Sequence, residues 1–174
     1  MIRNDVVHAV RKSAIRSLGT RQLTETGLPD GVKAVDWWCE GPYGAVLFHA
    51  DRGAGLHSSD QACLHHQEGH RRRLWGWTAT GGGAIGIEDP PQRPDGDGPR
   101  LLKLGDGQDD NVRLAFGHAE APITTIRLSN EQRAWTHPVG VDGFFLLGVT
   151  AQDPPTQAVG VTADGVQVEG PILI

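Results

Sequence analysis

Only two cysteines, Cys39 and Cys63, stand in a chain of 174 residues, which excludes a small domain stapled by disulfides. Lysine is confined to Lys12, Lys33 and Lys103, every other basic side chain being arginine. Basic residues number 16 against 21 acids, a formal net charge of −5, and this excludes a protein whose main work is to coat nucleic acid. No stretch approaches the ~20 apolar residues that cross a bilayer, and the N-terminus has no apolar core of a secretory signal. A soluble cytoplasmic protein with two free thiols is therefore expected.

What is abundant is glycine, at 24, and proline, at 11. They imply many turns and few long helices, hence a mainly β protein. Hydrophobic content of 38% and charged content of 21% suit a folded chain, one domain or two small ones. The preference for Arg, Ala, Gly, Asp and Pro reads as the codon bias of a high-GC bacterial genome.

Periodicity divides the chain. Asn4 is placed to cap a helix over Asp5 to Leu18, with Gly19 as the left-handed residue that ends it. Val7, Val10, Ala14 and Leu18 form one stripe, flanked by Val6 and Ile15, and Lys12 and Arg16 face away; Arg11 intrudes near the stripe. From Val32 the period becomes two. Val32, Ala34 and Asp36 alternate with Lys33, Val35 and Trp37, and the turn Glu40 to Gly44 predicts a hairpin closed by the strand Ala45 to Phe48. A polar, histidine-rich stretch, His57 to His70, precedes Arg71-Arg72-Arg73 and a strand over Leu74 to Thr78. Glu88 to Arg100, dense in Pro, Gly and Asp, reads as an exposed loop between halves.

The C-terminal third alternates short apolar segments with turns roughly every eight to twelve residues, the pattern of a sandwich. Strands are expected at 101–104, 112–116, 123–128, 133–139, 144–150, 158–162 and 166–168, with an acidic turn at Gly105 to Asn111. Phe144 to Leu147 is the most apolar run, a strand buried on both faces. Asp164-Gly165 marks a hairpin. The assignment is a helix at 1–21, a β-rich half at 22–104 and a sandwich segment at 105–174, the two halves sharing one core.

Four groups of residues invite chemistry. Cys63, His65, His66 and His70, with Cys39 and His57 as additions, have the ligand types zinc prefers, and on a helix His66 and His70 would share a face; no second ligand pair has zinc-site spacing. Solvated histidines are the competing account. Arg71, Arg72 and Arg73 beside Trp75 and Trp77 suit phosphate contacts and base stacking, although a strand sends alternate arginines to opposite faces. Trp37 and Trp38, on opposite faces of their strand, are further binding-surface candidates. Gly81 to Gly86 matches G-x-G-x-x-G, but Pro90 and Pro91 forbid the helix that receives a pyrophosphate. The acidic turns Asp95 to Gly98 and Asp106 to Asp110 miss the calcium-loop pattern, having Asn111 where its glycine belongs. Ser58 and Ser59 with Asp60 lack a nucleophile elbow. No catalytic residue and no cofactor is assigned.

The segments Ile126-Arg127-Leu128, Val141 to Leu146 and Val161 to Gly165 resemble a β-sandwich domain that recurs in uncharacterised proteins of actinobacteria and other high-GC bacteria, there often behind a membrane anchor that this sequence does not show. The resemblance covers the last third of the chain and implies fold, not chemistry. The expectation is thus a mainly β protein, an N-terminal amphipathic helix with an immunoglobulin-like C-terminal sandwich. Its expected role is non-catalytic: it binds a protein partner through a sheet surface or through the helix that carries Arg3, Arg11, Lys12, Arg16 and Arg21 against the single acid Asp5. Zinc on Cys63, His66 and His70, and an anionic ligand or nucleic acid on Arg71 to Arg73, are the alternatives.

Overall fold

The computed structural model describes residues 4–51, 54, 60–68, 76–84, 98–108, 111–150 and 154–170. Among the described residues the chain is mainly β with a single α-helix, at the N-terminus, and it divides into two compact units, Met1–Gly86 and Ile87–Ile174.

In the first unit α1 (Asn4–Thr20) is followed by β1 (Val32–Glu40), β2 (Tyr43–Ala50), β3 (Asp60–Glu68) and β4 (Gly76–Ala84). The strands form one antiparallel sheet in chain order. The helix lies on that sheet and closes a core of Val6, Val10, Ala14 and Leu18 against Val32, Ala34, Val46, Phe48 and Ala50. Compared with the expected stripe, the buried face is rotated: Ser13 and Ser17 are buried while Ile15 is 40% exposed and Arg11 stands in solvent. The two hydroxyls explain the rotation. Ser13 Oγ donates to the Thr24 carbonyl (2.5 Å) and Ser17 Oγ accepts from the Thr24 amide (3.0 Å), so the connection after the helix is tied to its core side.

The helix also ends later than Gly19. Thr20 Oγ1 donates back to the Arg16 carbonyl (2.9 Å), and the residue with left-handed dihedrals is Arg21 (φ 54°). The Gln22 amide bonds the Ser17 carbonyl (3.1 Å), which is the six-to-one bond of a Schellman ending with arginine in the glycine place.

Two details of the hairpin differ from the alternation read in sequence. Glu40 pairs with Tyr43, so the loop is the two residues Gly41 and Pro42, with Gly41 at φ 57°, in place of the expected five. In β1 the register shifts between Ala34 and Asp36, Ala34 opposing Phe48 and Asp36 opposing Leu47. Val35 is the extra residue of a bulge, and one extra residue exchanges the faces of everything after it. Hence Trp37 and Cys39, not Asp36, join Ala34 against the helix core.

The second unit contains β5 (Leu101–Gln108), β6 (Val112–Ala119), β7 (Ile123–Ser129), β8 (Ala134–Pro138), a 3-10 turn (Val141–Gly143), β9 (Phe144–Thr150), β10 (Gln157–Thr162) and β11 (Gln167–Glu169). One sheet runs β5-β6-β9 and the other β11-β10-β7-β8. Their facing side chains make one core, from Ala115, Phe145, Leu147 and Val149 on the first to Ile126, Leu128 and Ala158 on the second, as in a β-sandwich. Gly117 permits this packing, since a Cβ there would stand 2.5 Å from Phe145 Cζ. Phe145 and Leu146 are adjacent, on opposite faces of β9, and both are fully buried, as the apolar run implies.

The stretch from Gly105, expected as a turn, is strand through Gln108. Because β5 pairs with β6 along its whole length, residues 101–104 belong to the sandwich. At the Asp164-Gly165 signal the Thr162 amide bonds the Val166 carbonyl (3.0 Å). This leaves a three-residue loop with Gly165 left-handed (φ 87°), the bulged form of hairpin.

Candidate functional site

The zinc candidates fall on β3, an extended strand, where the sequence argument had considered a helix. Position 63 pairs with Val46, position 65 with Gly44 and position 66 with Tyr43, with no shift of register between β2 and β3. Successive strand positions alternate between faces, so Cys63 and His65 share one parity and His66 has the other; His57 and His70 lie outside the described residues. Among the described residues no group of three or more His, Cys, Asp or Glu side chains is placed to hold a metal ion. Cys39 is a free thiol. It sits on β1 and Cys63 on β3 with β2 between them, two strand spacings or about 10 Å, beyond the reach of a disulfide.

Arg71, Arg72, Arg73 and Trp75 lie outside the described residues, as do Ser58, Ser59 and the acidic residues Asp95, Asp97, Asp109 and Asp110. Trp77 is on β4, its backbone paired with Gln67. Gly81, Gly82 and Gly83 are strand residues opposite Leu64, Cys63 and Ala62, and Gly86, the last glycine of the motif, lies outside the described residues. Asp106 belongs to β5 and is ion-paired with Lys103 (2.5 Å). Trp37 and Trp38 are both half-buried, and Trp37 is spent on the helix core.

Three polar arrangements in the sandwich carried no sequence signal beyond local spacing. Arg100 and Glu120 form a forked pair, Nε and a terminal guanidinium nitrogen donating to Oε1 (3.1 and 2.8 Å) and the Arg100 amide to Oε2 (2.9 Å). They pin the first residues of the sandwich to the end of β6. His118 contacts the Asp142 carbonyl through Nε2 (2.9 Å) and meets the Phe144 ring edge-on; Gly143 (φ 84°) has no room for a Cβ, which would stand 2.7 Å from that nitrogen. Arg133 lies 4.2 Å over the Trp135 ring, a pairing the two-residue strand period could have suggested. Each is accounted for by holding turns and edges of the sandwich in place.

Among the described residues, the arrangement that leaves chemistry facing outward is α1. Its inner half is fixed by side chains 0–3% exposed, Val6, Val10, Ala14 and Leu18. Its outer half presents His8, Arg11, Lys12, Ile15 and Arg16, all exposed. The Arg16 guanidinium also reaches the Thr26 carbonyl (3.3 Å). Residues 1–21 hold five basic side chains against one acid, a balance of +4, which leaves −9 on the rest of a chain whose total is −5. Three of these basic side chains, Arg11, Lys12 and Arg16, are exposed on the described helix.

Comparison with protein-family models, with curated proteins and with solved structures finds no match.

Proposed function

We propose that the chain is a non-catalytic binding or accessory protein that engages a protein partner through the outer face of α1. The observation that carries this reading is the rigid presentation of Arg11, Lys12 and Arg16 by a helix whose other face is locked into its sheet. Side chains held on a fixed scaffold lose less freedom on binding than the same residues on a mobile segment. The sheet order of the second unit supports an immunoglobulin-like sandwich. The free Cys39 thiol supports a reducing, cytoplasmic setting.

Deleting residues 1–21 is not a usable test, because it strips four core side chains from the sheet. Arg11→Gln, Lys12→Gln and Arg16→Gln together remove the charge and keep helix propensity. A tagged chain and this triple variant are passed over lysate of the native host. Proteins retained by the first and lost by the second, with unchanged circular dichroism, are the expected result. The same proteins retained by both would end the reading.

A further inference from the structure

We infer that the surface α1 recognises is an acidic protein face with an apolar seat for Ile15, and that neither an anionic bilayer nor a nucleic acid occupies it. This rests on the binding role proposed for the helix and names its partner's chemistry.

Anionic phospholipid, nucleic acid and acidic protein would all attract a basic ridge, and the structure separates them. A helix that binds a bilayer lays its apolar face among the acyl chains. Here that face, Val6, Val10, Ala14 and Leu18, is buried against Val46 and Phe48, and inserting it would open the core of the first unit. What stays outside is one aliphatic side chain, Ile15 at 40% exposure, too little apolar area to anchor in lipid. Nucleic acid binding rests on many phosphate contacts. The described helix offers three cations, Arg11, Lys12 and Arg16, on a chain of net charge −5, whose field repels a polyanion at a distance.

A protein face fits the pattern that remains. Lys12 and Arg16 are four residues apart, as are Arg11 and Ile15, so two parallel rows run along the ridge with steps of ~6 Å. One row is wholly cationic and the other joins a cation to an apolar knob. Arginine pairs with carboxylates through two parallel hydrogen bonds. A single exposed apolar side chain with Arg11 and Lys12 one turn before it is the layout of an interface anchor whose charged flank sets orientation. The complement is a carboxylate-rich surface with spacing of one helical turn and a shallow apolar socket.

The probes are an amphipathic peptide of glutamate and leucine with its leucines at four-residue spacing, a scramble of identical composition, vesicles of phosphatidylcholine and phosphatidylserine, and single-stranded DNA. All are titrated against the full chain at one ionic strength. The expected result is binding to the ordered peptide about tenfold tighter than to the scramble, a preference lost in Ile15→Asp, and weaker binding to vesicles and DNA. Equal affinity for ordered and scrambled peptides, no binding to either, a preference that survives Ile15→Asp, or vesicles or DNA bound as tightly as the ordered peptide would each overturn the inference. The functional reading fails separately. If the triple glutamine variant keeps its cellular partner, the helix is not the docking element; if it loses the partner while Ile15→Asp keeps it, only the apolar seat is disproved.

Discussion

The two units solve one problem, closing an antiparallel sheet, in different ways. The first covers its sheet with a helix and the second with another sheet. A helix has an outer face of long side chains on a convex ridge, and here that ridge bears Arg11, Lys12, Ile15 and Arg16. In the sandwich, the outward positions of β7, β10 and β11 include Arg127, Gln157, Val159, Val161, Gln167 and Glu169, a sheet face on which single charges of both signs sit among polar and apolar side chains and Val159 is itself buried. The difference teaches where recognition can be concentrated. Like charges in rows on a narrow ridge give a directional surface, whereas isolated charges of both signs on a sheet face favour no particular partner.

The largest effects belong to the two aromatic residues at the centres of these cores. Phe48 and Phe145 are both fully buried, and truncation of either to alanine is expected to cost about 3–5 kcal/mol. Hydrogen exchange followed by strand tells the units apart. Phe48→Ala should strip protection from β1 and β2, and Phe145→Ala from β6 and β9. Should either substitution deprotect all four strands to the same extent, the contrast between a helix-covered core and a sheet-covered one breaks down.

Smaller effects follow from the buried hydroxyls that fasten a connection in each unit. Ser17→Ala removes the acceptor for the Thr24 amide. Thr162→Val removes the oxygen that accepts from the Val166 amide (2.9 Å) and donates to the Asp164 carboxylate. Each is expected to cost about 1–2 kcal/mol, measured as a shift in urea midpoint. The threonine variant adds a pH signature. Thr162 and neighbouring amides hold the exposed Asp164 carboxyl below its ordinary pKa, so this contribution is present above the unfolded value and is lost as pH falls through the folded one. Thr162→Val should reduce that acid dependence, leaving the share due to the backbone amides, and Ser17→Ala should leave it unchanged.

How much of this was legible follows from how local each cause is. Helix and sandwich strands announce themselves through period and turn residues; the run Phe144 to Leu147 even carried its two-sided burial. The β3 segment Asp60 to Glu68 has no apolar alternation, and its strand state comes from pairing with β2 and β4 on either side. The bulge at Val35 leaves no mark in the residues themselves, yet it decides that Trp37 faces the helix. Arg21 ends α1 in a glycine's conformation because Ser13 and Ser17 hold the following segment, a tertiary cause. The Arg100–Glu120 fork joins residues that no periodicity connects. Of the candidate site, the outward place of Lys12 and Arg16 was readable from sequence; that Arg11 and Ile15 join them depended on the two buried serines.

The finest test of the helix-covered unit uses Cys39, half-buried beside its core. Burial raises the thiol above its ordinary pKa, and the Arg21 charge pulls weakly the other way. The thiolate is the reacting species, so alkylation of Cys39 by iodoacetamide, followed by peptide mapping between about pH 7 and 10, should lag behind that of the urea-unfolded chain. Arg21→Gln should slow it slightly further by removing the only opposing influence. The linkage has a definite sign: with the folded pKa above the unfolded one, this thiol's contribution to stability is complete below the unfolded value and disappears as pH rises through the folded one. A folded chain that reacts as fast as the unfolded one would mean that the end of α1 does not seal the sheet, and the helix would then be a looser lid than the second sheet is in the sandwich.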